Sequence, residues 1–233
     1  MASTREICID TETTGLDPYS GDRLIEIGCI ELSDGRKTGE HFHRLINPER
    51  EVPGEAVNVH GITTERLLDK PKFFEIADEL LEFLGDSILI AHNSSFDMKF
   101  LNFEFESIGY SKIKNEVIDS LLLAKNKFPG QKNSLDSLCR RYSIDNSKRT
   151  FHGALLDAEL LADVYVELKG GTQESLLCDR ETLGSGTIEI DELLRRIRKN
   201  EVLPSRNFRV STEDQEMHDE FIRIHVLGRN KKI

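Results

Sequence analysis

Apolar and polar positions alternate along the first third of the chain in the two-residue rhythm of strands. Ile7, Cys8 and Ile9 lead into Asp10 and Glu12, and Thr13-Thr14-Gly15 turns the chain. Residues two apart on a strand share a face, so Asp10 and Glu12 are expected side by side at a strand's end. Arg23 to Leu32 alternates as a half-buried strand does, Asp34-Gly35 marks a hairpin, and Glu40 to Ile46 reads as a third strand ended by Asn47-Pro48. The fold is therefore expected to begin as an antiparallel meander.

Beyond it the period changes. Thr63-Thr64-Glu65 is a helix start, and Phe73, Ile76, Ala77, Leu80, Leu81 and Leu84 fall at helical spacing. Ser87 to Ala91 is a short, wholly apolar strand of the kind buried in a mixed sheet. A helix is expected from His92–Asp97 towards Gly109, then a strand over Glu116 to Asp119, a helix around Leu121–Ala124, and a serine-capped helix over Ser134 to Tyr142. A basic loop precedes His152, and Gly170-Gly171 closes the last helix.

His152 and Asp157 are five residues apart, about 140° around a continuous helix, so they share no helical face. They meet only if Asp157 lies in the helix's first turns and His152 on the loop before it, an arrangement that Gly153 permits.

Composition narrows the function classes. The chain has 38% hydrophobic and 31% charged residues and a formal net charge of −11, which argues against general electrostatic coating of nucleic acid. An enzyme gripping one strand end through cations remains compatible, because bound ions reverse the local field. Basic residues crowd two stretches, Lys125, Lys127, Lys132, Arg140, Arg141, Lys148 and Arg149, then Arg195, Arg196, Arg198 and Lys199. The first could line a strand path, and a solvated helix surface is the other reading for both. No apolar run spans a bilayer, and Met-Ala-Ser-Thr-Arg-Glu lacks a signal-peptide core, so a cytoplasmic protein is expected. Cys8, Cys29, Cys139 and Cys178 form no C-x-x-C pair; Cys8 and Cys29 read as small buried hydrophobes. His41 and His43 have no third ligand nearby and read as ordinary strand residues.

Asp10 and Glu12 repel without a cation between them, and oxygen ligands favour Mg²⁺ or Mn²⁺ over Zn²⁺. Three ordered motifs extend this: Asp-Thr-Glu-Thr-Thr-Gly at 10–15, His-Asn-x-x-Phe-Asp at 92–97 and His-x-x-x-x-Asp at 152–157. Together they resemble the DEDDh 3′→5′ exonucleases and, through residues 133–142 and 145–158, the epsilon family of proofreading subunits of bacterial DNA polymerase III. The resemblance covers roughly residues 5 to 170 and implies an RNase H-like α/β fold, a mixed five-stranded sheet flanked by helices. It implies that Asp10, Glu12 and Asp157 hold one Mg²⁺ or Mn²⁺, that Asp10 bridges to a second supported by Asp97 through water, and that His152 is the general base. Glu55 and His60 would contact the terminal nucleotide.

The resemblance also divides the chain into an exonuclease domain (1–170), a linker (171–200) and a flexible polymerase-docking tail (201–233). Ile188 to Ile197 in the linker reads as a short amphipathic helix. Gln173, Leu176 and Leu177 resemble a short sliding-clamp motif, although Cys178 stands where a larger apolar residue is usual. Arg206 to Val226 resembles the segment that docks on the polymerase catalytic (alpha) subunit, which would raise the nuclease's effective concentration at a frayed, single-stranded DNA 3′ end. Two other readings remain: an RNA 3′-end trimming nuclease with the same catalytic residues, and a non-catalytic scaffold joining polymerase and clamp.

Overall fold

The computed structural model describes residues 4–147, 149, 151–170, 212 and 218. All but the last two fall in the first of two units into which the chain divides, Met1–Leu176 and Leu177–Ile233. The candidate clamp motif, the expected helix at Ile188–Ile197, the second basic stretch, Cys178 and all of the docking segment but residues 212 and 218 lie outside the described residues.

Five strands form one mixed sheet. They are β1 (Arg5–Thr13), β2 (Leu24–Ser33), β3 (Arg36–Leu45), β4 (Ile88–Ala91) and β5 (Val117–Asp119), in the order β3-β2-β1-β4-β5. β1 pairs antiparallel with β2 and parallel with β4, so it is the central strand. Its side chains alternate between two cores. Ile7 and Ile9 pack with α3 (Phe73–Leu84) and α4 (Ser94–Ser107), while Cys8 packs with α6 (Leu135–Tyr142) and α7 (Ala154–Lys169). Helices on both faces explain why β1 reads as a nearly unbroken apolar run until its acids.

The remaining helices are α1 (Gly54–His60), α2 (Thr64–Leu67) and α5 (Ser120–Lys127), with a 3₁₀ turn at Pro18–Ser20. The expected meander, the helix over 73–84 and the Ser134 cap are all present. The helix start at 63–65 is the short α2, and α1 is an added element. β3 begins at Arg36, earlier than the apolar pattern indicated, because Arg36–His41 are exposed and carry no burial rhythm. Cys8, Cys29 and Cys139 are free and buried. Burial raises all three thiols, Cys139 to about 11, which suits packing groups rather than reactive ones. Among the described residues, no helix is long and apolar enough to cross a membrane.

The position of α7 is set by the backbone of β2. Gly28 pairs with Asp10 in the β1–β2 ladder. A Cβ at Gly28 would stand 2.3 Å from backbone atoms of Ala154 and Leu155. Only glycine lets the first turn of α7 descend onto the strand beside Asp10. The helix has no capping side chain of its own at Gly153. Instead Glu26, on β2, accepts from the Ala154 amide at 3.0 Å and contacts His43 Nε2 at 2.7 Å. A strand carboxylate thus supplies the acceptor that a helix start needs.

Candidate active site

Side chains from four elements meet at the carboxyl end of β1, in a cleft of about 310 Å³ lined by Asp10, Glu12, Asp97, His152 and Asp157. Asp10 and Glu12 arrive by the two-residue strand spacing. Asp97 lies in the first turn of α4 and Asp157 in the first turn of α7, where the helix dipoles favour carboxylates. His152 is on the preceding loop, with its Nδ1 3.2 Å from Asp157 Oδ2. The loop-then-helix arrangement is the one the five-residue spacing requires.

The start of α4 is held in several ways. Asn93 adopts the left-handed conformation at φ 74°, which Asn tolerates better than most residues. Asp119, at the end of β5, accepts from the amides of Asn93 and Ser94 and also from those of Leu121 and Leu122. One carboxylate therefore caps α4 and α5 together. Thr11 Oγ donates to Asp97 at 2.7 Å, and His92 Nδ1 lies 2.9 Å from Ser120 Oγ.

The acids are crowded and mostly buried. Burial, then repulsion from Asp97, Asp157 and Glu12, raises Asp10 well above an ordinary carboxyl. Burial also lifts Glu12 to about 8, with Asp157 and its cross-strand partner Glu26 adding repulsion. Asp97 rises to about 7 through burial, opposed by the Thr11 hydrogen bond. Asp157 differs: burial opposes its charge, but hydrogen bonds from His152 and Arg149 outweigh that and hold it low.

Carboxylates packed so closely need positive charge nearby. Ligand atoms of Glu12, His152 and Asp157 lie within 4.8 Å of one another, and their oxygen-rich set suits a hard divalent cation. Glu12 and Asp157 belong to the ligand set that the sequence implies, His152 joins them in this cluster, and Asp10 lines the same cleft.

Arg149 also occupies this cleft. Its Nε and Nη2 donate to the two Asp157 oxygens at 2.5 and 2.6 Å, and its Nη1 donates to Asp136 Oδ1 at 2.7 Å. Nη2 also stands 2.8 Å from His152 Nδ1. The sequence placed Arg149 in a basic loop and Asp136 in a helix, each inside a stretch that carries the family resemblance, with no role in the site for either. The signal available was local: Asp136 follows the Ser134 cap, and Arg149 is three residues before His152. Elsewhere in that stretch, Lys127 and Arg141 bond to neighbouring backbone or side chains.

Glu55 and His60 do not line the cleft. Glu55 is exposed on α1, and His60 is buried at its end, accepting from the Ile62 amide through Nδ1. Burial keeps His60 below its ordinary pKa. α1 nevertheless touches the catalytic loop: His152 donates its amide to Val59 at 3.1 Å. A Cβ at Gly61, whose φ is 69°, would meet the Phe151 ring at 3.2 Å.

Residues 7–165 match the Exonuclease family model. A DNA polymerase III subunit epsilon from Rickettsia typhi is 47% identical, covering 95% of this chain and 97% of that protein. The Escherichia coli subunit is 45% identical, covering 87% of each. Among solved structures, exonuclease X in complex with 5′ overhanging duplex DNA is 27% identical at TM-score 0.56, covering 71% of this chain and 90% of that one. The nuclease domain of a DEDDh-family 3′-exonuclease bound to rAMP has TM-score 0.63 at 19% identity, covering 72% and 92%, and supports the fold. With the site's geometry alongside these similarities, the chain belongs to the exonuclease family and, within it, to the epsilon subunits of DNA polymerase III.

Proposed function

We propose that this chain proofreads for a replicative DNA polymerase, hydrolysing the last phosphodiester of a single-stranded or frayed DNA 3′ end and releasing a nucleoside monophosphate. The observation that carries the reading is the convergence of Asp10, Glu12, Asp97, Asp157 and His152 in one open cleft. A scaffold has no use for four crowded acids whose charge opposes their burial.

Asp10, Glu12 and Asp157 would hold divalent cations, Mg²⁺ or Mn²⁺, with Asp97 fixed by Thr11 as a further carboxylate. When bound, such cations lower the pKa of water and offset charge on the leaving oxygen. The chain's own work is positional and protonic. The β1 acids fix one side of the cleft, and α7 presents Asp157 from the other. His152, about half exposed on its loop, takes the proton of the attacking water on a ring nitrogen. As the water oxygen bonds to phosphorus, the bond to the 3′-oxygen breaks.

Residues 1–170 would form the nuclease, 171–200 a linker with the clamp-like Gln173, Leu176 and Leu177, and 201–233 the segment docking on the polymerase catalytic subunit. A cytoplasmic, replisome-associated location follows from that role.

The test is 3′-end release from matched single-stranded DNA and RNA oligonucleotides with Mn²⁺, comparing wild type with His152→Ala. Monophosphate release from DNA is expected, falling about 10²–10⁴-fold in the variant, the range for loss of a general base. Strong preference for RNA would replace the proofreading role with end trimming. Inactivity on both would leave the scaffold reading.

A further inference from the structure

We propose that Arg149 is a built-in stand-in for the divalent cation: its guanidinium neutralises Asp157 in the metal-free protein and withdraws onto Asp136 when a cation binds. This rests on the reading of Asp10, Glu12 and Asp157 as a cation site beside the base His152.

The guanidinium uses its Nε and Nη2 on both oxygens of Asp157, leaving neither free of a donor. It also reaches His152, so it touches two of the three groups whose ligand atoms cluster within 4.8 Å. A cation that takes the same two-oxygen edge of Asp157 must displace it. The side chains of Arg149 and Asp157 are only 8% and 3% exposed. Removing one partner of so buried a pair strands the other's charge. The arginine thus keeps the site assembled when no metal is bound, and metal binding becomes an exchange of one cation for another.

The displaced guanidinium has a place to go. Its Nη1 already donates to Asp136, which Asn146 also contacts at 3.0 Å. Asp136 is 45% exposed, so an arginine held there alone regains water. It is a hinge at the side of the cleft and leaves the Asp157 oxygens open. The exchange also changes the surroundings of His152, because Nη2 stands 2.8 Å from its Nδ1 and leaves with the guanidinium. Arg149 is a positioning residue, acting through Asp157 and His152.

The experiment is calorimetric titration of the full chain with Mn²⁺ for wild type, Arg149→Gln and Asp136→Asn, with melting temperatures taken in chelator. Arg149→Gln removes the competitor and is expected to bind Mn²⁺ about tenfold more tightly, a factor equal to one unit of log Kd, while melting lower in chelator. Asp136→Asn removes the carboxylate that receives the displaced arginine among the described residues, so Mn²⁺ affinity is expected to fall. Opposite shifts in the two variants would not arise from general destabilisation. Unchanged or weaker binding by Arg149→Gln overturns the proposal, as does unchanged or tighter binding by Asp136→Asn. If Arg149→Gln does not fold, Asp136→Asn decides alone. Absence of Mn²⁺ binding in wild type would instead overturn the cation-site reading, and the exchange with it.

Discussion

The two helix starts that deliver acids to the cleft are built differently. Neither is capped by its own N-cap side chain, but α4 starts with Asn93 in a left-handed turn, the Asn93 and Ser94 amides held by Asp119, and Thr11 fixing Asp97 directly. α7 rests instead on the strand beneath it. It is placed by the Gly28 contact and the Glu26 acceptor on β2, and its acid is shared between Arg149 and His152. One acid is fixed where it must be, whereas the other sits where charge and protons are to move. Rigidity in this site is therefore distributed: α4 is tied by side chains from two strands of the sheet, and α7 by the backbone on which it rests.

Gly28→Ala tests the second half of that contrast and carries the largest expected effect. The added methyl meets backbone at 2.3 Å, where no side chain can swing aside, so α7 must lift. Stability is expected to fall by about 1–3 kcal/mol, as overpacking does. Nuclease activity is expected to fall about 10²-fold, the scale of a displacement of about 1 Å in a site. Urea unfolding and single-turnover release measure the two. A large loss of stability with normal activity would mean that α7 does not set the position of Asp157.

Asp119→Ala tests the first half. Losing a helix cap costs about 0.5–2 kcal/mol, and here two helices lose theirs together, so a cost near the upper value is expected in urea unfolding. Thr11 still holds Asp97, so turnover is expected to stay within about tenfold of wild type, well inside the loss given by a catalytic misplacement. A larger fall in activity would show that the caps, rather than Thr11, align Asp97.

The smallest effect is one of pH. Glu12 and Asp97 hold protons in the folded protein to about 8 and about 7, while free carboxyls release theirs near pH 4. Between those values the unfolded chain binds fewer protons, so unfolding becomes easier as pH rises. Their favourable contribution is complete at acid pH and lost through about pH 8. Melting temperature in chelator is expected to decline over that window, and the gain on adding Mn²⁺ to grow. A flat profile would mean that Arg149 already offsets the whole cluster.

Much of this arrangement was legible in the chain. Strand alternation placed Asp10 beside Glu12, and the angle between positions 152 and 157 placed His152 on a loop. Such inferences need only local geometry. α1 was not found because it has seven residues, starts at a glycine and keeps only His60 fully buried, leaving little periodicity to read. The roles of Gly28, Glu26 and Arg149 were hidden for another reason. Each depends on a partner brought close by tertiary packing, and nothing in a glycine, a strand glutamate or a loop arginine names that partner. Asp119 was legible as a strand end but not as the cap of two helices.

The bond between Glu26 and Ala154 joins residues 128 apart in the chain, and it gives the site a place in the order of synthesis. The acids of β1 leave the ribosome early, but they form no complete cleft until α7, the last described helix of the larger unit, has emerged and docked. Contacts so far apart are made late, after the entropy of closing a long loop has been met. A nascent or truncated chain therefore carries the Asp10 and Glu12 motif without the nuclease, and hydrolytic competence arrives only with the finished fold.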